Sequence, residues 1–349
     1  MKGIRISGVA VCLLAIACEH AAPFRPQTYT PDGPLAPGSV TRLTYSPGQD
    51  LEPTWSPAGD TIVYTAERLD RPDHDRCLAF MPGRGGSVAR YRCRTSAADD
   101  SLDVFEDAAA GTGDSLAYIR ASSNIALPPL APETIQLVAG ARVVWSLPFT
   151  ATWGTTYDAL SHVAWLGSSR VAAIGERVTH PRPCRTCAVD TVRTGLGILI
   201  IDFGGATSTI SRLAGGDSAS SLALSANRDT LYFTRDGDSR VYRQVLAGGE
   251  TDTLLDFGFG IARDVAVSSG KIVAVVGGAV SYSVDSILGG SQPDHGGPLY
   301  LVSGGGAPVQ IGDPSFLFRR PALAPDGKSL VAAAWNASTT ADIWLLQLP

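Results

Sequence analysis

The chain has 349 residues, 17% of them charged, with a formal net charge of −5. A pI near 5.5 gives no basic footprint, which excludes nucleic acid as an expected partner. Length alone suggests two domains, but a single repeat pattern runs without a break from 39 to 349, and one domain is expected there.

The chain opens with Lys2 and Arg5, followed by an apolar run from Ile6 to Ala17. That run is shorter than the roughly 20 residues that cross a bilayer and has the layout of an export signal over 1–17. It ends in "LAIAC", which resembles the lipobox of bacterial lipoproteins and implies cleavage before Cys18, with Cys18 as the lipidated residue. The alternative is an ordinary secretory signal with incidental cysteines. Residues 18–38 carry Pro23, Pro26, Pro31, Pro34 and Pro37 and are expected to form a semi-stiff tether, spanning about 3.1 Å per residue where extended. Glu19 stands where an aspartate would retain such a protein at the inner membrane, so the resemblance implies a lipid-anchored protein of the cell envelope, at the outer membrane in preference to the inner. It would face the periplasm or the cell exterior.

The pattern that follows is clearest in "EPTWSPAGDTIVYTA" from Glu52 and "RPALAPDGKSLVAAA" from Arg320, with four weaker copies between them. Taking Trp55, Ala109, Trp165, Leu224, Val267 and Leu323 as anchors, successive copies lie 43 to 59 residues apart. Strand-turn-strand units at that period predict an all-β, six-bladed β-propeller. The first repeat is expected to supply strands at 51–56, 60–66, 75–81 and 87–94. The last shows only three, ending in "ADIWLLQLP", and its missing strand is expected from 39–46, which would join the chain ends and remove a sheet edge. Strand alternation places the anchors between blades, and the small residues before them (Thr54, Ala108, Ala164, Ala223, Ala266, Ala322) on the axis. Two residues earlier stand Glu52, Glu106, His162, Ser221, Asp264 and Arg320, five of the six ionisable, a candidate polar ring for binding at a channel mouth.

"TRLTYSPGQDLEPTWSPAGDTIVYTA" and "PALAPDGKSLVAAAW" resemble the WD40-like (PD40) repeat of TolB-type six-bladed propellers. The resemblance is strong in the first and last copies. TolB carries an additional α/β domain ahead of its propeller, for which this chain has no room, so the resemblance implies a lone propeller of that repeat type.

Once Cys12 is removed with the signal and Cys18 is acylated, Cys77, Cys93, Cys184 and Cys187 remain. Cys77 and Cys93 fall opposite one another about a turn centred on Gly85, and a cross-strand disulfide between them is expected, worth about 3 kcal/mol in the chain-entropy model. In "HPRPCRTC", Cys184 and Cys187 fit a redox couple, half a zinc site with His180, or a local disulfide. The absence of a thioredoxin-like context, and Ala188 where haem attachment needs histidine, favour the disulfide.

No GxSxG, HExxH or Walker loop is present, and no catalytic residue, cofactor or metal site is assigned. Long loops at 176–195 and 278–297 interrupt the third and fifth repeats between the same two strands, so they emerge on one face. The expected function is therefore protein binding or scaffolding in the envelope, with an unidentified protein or peptide partner. The alternative is a lactonase-like, metal-dependent hydrolase using Glu52, Glu106 and Asp264 at the channel mouth.

Overall fold

The computed structural model describes residues 28–349 apart from 32, 34, 70–75, 94–100, 112, 114, 125–130, 149–155, 180–191, 278–279, 286–289 and 337–338. Cys18, Cys184 and Cys187 lie outside the described residues, as do the signal segment and most of the tether.

All regular structure among the described residues is β. After β1 (Val40–Arg42) come β2 (Asp50–Trp55), β3 (Thr61–Glu67), β4 (Arg76–Pro82) and β5 (Arg90–Arg92), each within two residues of expectation except for the later start of β5. Next are β6 (Ser101–Ala110), β7 (Leu116–Asn124), β8 (Ala131–Ala139) and β9 (Arg142–Pro148), then β10 (Thr156–Trp165), β11 (Arg170–Thr179), β12 (Val192–Asp202) and β13 (Thr209–Arg212). They are followed by β14 (Ala219–Leu224), β15 (Thr230–Arg235), β16 (Arg240–Val245) and β17 (Thr251–Asp256). The chain continues through β18 (Ala262–Ser268), β19 (Lys271–Val276), β20 (Val280–Asp285), β21 (Gly290–His295), β22 (Leu299–Ser303) and β23 (Val309–Ile311). It ends in β24 (Leu317–Leu323), β25 (Ser329–Trp335) and β26 (Asp342–Gln347).

Four of the sheets have four strands: β10 to β13, β14 to β17, β18-β19-β22-β23, and β24-β25-β26-β1. Strands β2 to β9 form one eight-stranded sheet, whose two halves meet through the parallel pair Arg76–Val104. The hairpin β20–β21 is inserted between the second and third strands of its sheet, and the long β11–β12 connection falls at the equivalent place, as the sequence implies. This is an all-β propeller.

Apolar residues gather in layers between neighbouring four-stranded groups. Trp55, Ile62 and Tyr64 pack against Val331, Ala333 and Ile343 where the first and last groups meet. Val63, Leu78 and Phe80 pack against Phe105, Leu116 and Tyr118 between the two halves of the eight-stranded sheet. Each of the other four junctions has its own layer. A strand in such a stack is covered on both faces, which is why β25 (SLVAAAW) is apolar without alternation.

The chain ends close as expected, over a shorter span: Val40, Thr41 and Arg42 pair with Leu346, Leu345 and Trp344. Cys77 and Cys93 form a disulfide with their Cα atoms 4.7 Å apart, across the turn that follows β4.

Candidate site: a charged ring and a funnel on the propeller axis

The inner strands β2, β6, β10, β14, β18 and β24 line a cavity of about 410 Å³ along the axis. The side chains nearest its middle were foreshadowed by the repeat, but the way they reach it was not. Each sheet presents its faces to the neighbouring sheets, so alternate side chains of an inner strand enter the two flanking apolar layers, and the axis receives mainly backbone. Trp165 packs towards the preceding group and Ala164 towards the following one. The expectation that the small-residue column faces the axis alone is corrected accordingly.

Side chains turn inward where the ladder is broken. Every inner strand has a register shift: Leu51/Thr54, Glu106/Ala109, Ser161/Ala164, Ala219/Ser221, Ala262/Asp264 and Arg319/Ala322. At four of these bulges a non-glycine residue is left-handed: Glu52 (φ 54°), Asp107 (φ 52°), His162 (φ 50°) and Arg320 (φ 49°). A bulge re-aims a side chain at the cost of local strain, and here the same device is repeated around the axis.

The cavity lining includes Glu52, His162, Ser221, Asp264 and Arg320, five of the six expected ring residues. Glu106 is the exception; Asp107 takes the ring position, while the Glu106 carboxylate lies 4.0 Å from Arg76 Nη1 in the layer towards β4. The assignment slipped by one residue because Ala108, Ala109 and Ala110 are identical, so no side chain marks the register, and a one-residue slip exchanges the faces of a strand. Asp107 and Ala110 are the counterparts of Glu52 and Trp55, as shown by the equivalent turn bonds from Gly111 N–H to Ser115 O and from Ser56 N–H to Thr61 O.

The ring is cross-braced. Arg320 donates from Nη1 to Asp107 Oδ1 at 2.8 Å, and its Nη2 lies 3.8 Å from Glu52 Oε1. The Asp107 amide donates to Glu52 Oε2 at 2.9 Å, and the Arg320 amide donates to Asp264 Oδ2 at 2.9 Å, so each of these carboxylates accepts a backbone N–H from the next repeat. His162 Nε2 lies 3.3 Å from Asp264 Oδ1 across the channel. Ser221 Oγ is 2.8 Å from Thr234 Oγ1, which itself donates to Arg263 O in the next repeat.

Charge states follow from these contacts. Burial opposes ionisation of Glu52, but Arg320, Arg319, the Asp107 amide and Arg76 together hold its carboxyl below the usual range. Asp264 also overcomes burial, through His162, Arg320 and the Arg320 amide, and lies well below the ordinary carboxylate value. Asp107 goes the other way: burial and the carboxylates of Glu52, Glu106 and Glu176 raise it against the pull of Arg320. Burial and the positive charge of Arg320 push His162 down. Among the described residues, no group of three or more His, Cys, Asp or Glu side chains is arranged to hold a metal ion.

Nothing in the repeat pattern singles out Arg228. It lines the same cavity beyond the ring, at the end where the turns between first and second strands lie.

No protein-family model matches the chain, and no curated protein matches it in sequence. Among solved structures, the β-propeller domain of Cps50 (Swd1) from Myceliophteria thermophila superposes with a TM-score of 0.51 at 12% identity, covering 89% of this chain and 100% of that one. The chain shares the β-propeller fold. A gluconolactonase from Xanthomonas campestris gives a TM-score of 0.49 at 13% identity, covering 91% of this chain and 98% of that one. The propeller domain of the trilobed protease from Pyrococcus furiosus gives 0.46 at 10% identity, covering 86% and 95%. At these identities the likeness is one of fold alone.

Proposed function

We propose that the chain is a six-bladed propeller of the TolB-like repeat type, exported, tethered to the membrane through Cys18, and serving as a protein-binding module of the cell envelope. The count of six takes the two halves of the eight-stranded sheet as separate blades, which the apolar layer between them supports. Export is supported by the Cys77–Cys93 disulfide, a bond that persists in oxidising compartments.

The observation that carries the binding role is the ring itself. Its carboxylates are engaged by Arg320, His162 and backbone amides, so the centre of the channel is braced by the Arg320 ion pairs and by internal hydrogen bonds. A metal-dependent hydrolase at this place would need those carboxylates for its cation, and Arg320 already supplies the positive charge.

Binding is assigned to the face that carries the second-to-third-strand connections. There β10, β11 and β12 run several residues beyond the ring, and the separate hairpin β20–β21 is inserted between β19 and β22. The tether arrives at the opposite end: the Tyr29 amide donates to Leu43 O, and Tyr29 O accepts from the Gly86 amide in the turn after β4. A tethered propeller would thus direct its insertions away from the membrane.

The test is photo-cross-linking in cells with the full chain, from Arg177 on the insertion face and from Asp326 on the tether face, both exposed. A discrete adduct from position 177 and none from 326 is expected, together with loss of membrane association in Cys18→Ala. No adduct from either position would overturn the binding role.

A further inference from the structure

The turns that close the first hairpin of each blade surround the open end of the axial funnel. In the first and last blades they read "SPAGD" and "APDGK", and the left-handed position is filled by Gly59 (φ 72°) and Gly327 (φ 68°). The fourth blade reads "SANRD", and its left-handed position is Arg228 (φ 61°). The three turns share one backbone bond: the Gly59, Arg228 and Gly327 amides each donate to the carbonyl of the residue three before, Ser56, Ser225 and Ala324, at 2.9 Å. Glycine takes this conformation freely and arginine does not, so a strained arginine stands where the same fold elsewhere uses an unstrained glycine.

The side chain at that position faces the funnel, and its Nη1 is buried without a hydrogen-bond partner among the described residues. The neighbouring carboxylate does not serve it. Asp229 accepts from Asn227 Nδ2 at 2.6 Å, Thr230 Oγ1 at 2.7 Å and Ser225 Oγ at 3.1 Å, and so is committed to the turn. Partial burial pulls the guanidinium below its ordinary range, with no carboxylate acting in the other direction. A buried, unpaired guanidinium donor is costly unless an acceptor arrives from outside. Between this arginine and the ring the funnel is lined by the inner strands at Leu222, Ala223, Val265, Ala266 and Leu323, none of which brings a charge, while the carboxylates of the floor are already engaged.

We propose that Arg228 and the axial funnel form a binding site for a small organic carboxylate, its anionic head held by the guanidinium at the mouth and its short apolar body directed down the funnel. The site goes beyond the protein-binding role and requires neither the tether nor a protein partner. A cavity of about 410 Å³ accommodates an acid of several carbons and no large cofactor. Recognition is charge-assisted, so affinity falls as salt rises.

The experiment is isothermal titration calorimetry on the purified mature protein at low ionic strength, with hexanoate as probe and hexanol as its neutral counterpart, for wild type, Arg228→Gly and Arg228→Gln. One hexanoate per chain is expected, with hexanol silent. Both variants should weaken hexanoate binding by about tenfold or more, the usual scale for a lost charge-assisted contact. Arg228→Gly should also melt at a higher temperature than wild type, since glycine relieves the left-handed strain. A wild type that gives no hexanoate signal overturns the proposal, and so does undiminished binding by both variants. A lower melting temperature for Arg228→Gly makes the arginine a structural element and overturns it as well. None of these results bears on cross-linking from the insertion face.

Discussion

The ring and the mouth of the axial channel handle buried charge in opposite ways. At the ring, Arg320 answers Asp107 and Glu52, His162 answers Asp264, and backbone amides of the following repeats fill further acceptor positions. At the mouth, Arg228 occupies a strained position with a buried donor unanswered. Ionisable side chains on a propeller axis are therefore not equivalent as candidate sites. A closed network of partners braces the blades against one another, whereas an unanswered donor in a cavity points to something that binds there.

The largest expected effect comes from opening the ring. Arg320→Met leaves Asp107 buried without its cation and Glu52 with only the more distant Arg319 and Arg76, and should cost about 3–5 kcal/mol in urea unfolding. Adding Asp107→Asn should recover part of that loss; a fully additive double mutant would show that the ring is not a coupled unit.

A second test separates the ring from the seam where the chain ends meet. There, burial raises Asp342 to about 7 despite the Arg42 guanidinium 2.5 Å away, and Asp50 is pushed well up by its own burial. A carboxyl raised in the folded state favours folding most where both states are protonated. Its contribution is lost as pH climbs from the unfolded value near 4 through about 7, by up to about 4 kcal/mol. Glu52 and Asp264 are lowered, so their contribution has the opposite sign, present above pH of about 4 and lost below it. Stability measured against pH should therefore decline on both sides, and Asp342→Asn should make the neutral limb shallower without removing it, since Asp50 and Asp107 are also raised, and should leave the acid limb unchanged.

A smaller loss is expected at the first-to-last blade seam, where Trp55 Nε1 donates to Ala322 O at 2.9 Å. Trp55→Phe removes that donor and strands a carbonyl, costing about 1–2 kcal/mol by urea unfolding. The smallest effect has the reverse sign: Arg228→Gly should stabilise by about 0.5–1 kcal/mol. A destabilised Arg228→Gly would erase the distinction drawn between ring and mouth.

Much of the fold is legible in the sequence, and two features of the site are not, each for its own reason. The Ser-Pro-Ala-Gly-Asp and Ala-Pro-Asp-Gly-Lys turns mark the first and last copies, anchors 43 to 59 residues apart mark those between, and Gly85 between two cysteines marks the hairpin that the disulfide crosses. Glu106 was chosen over Asp107 because three consecutive alanines erase the register that a larger side chain would fix. Arg228 went unnoticed because a hairpin turn tolerates many residues in a sequence pattern, and only its positive φ shows that this arginine occupies a glycine's place.

The sequence by itself determined the all-β class, the repeat and the Cys77–Cys93 bridge, because strand period, turn chemistry and short cross-strand distances are local properties of the chain, and the closure of the chain ends, because a last repeat one strand short is matched by a spare strand ahead of the first. Only the tertiary structure decided which side chains reach the axis and which charges are answered there. Those depend on bulges that rotate single residues out of their sheets, and on partners drawn from repeats as distant as Asp107 and Arg320.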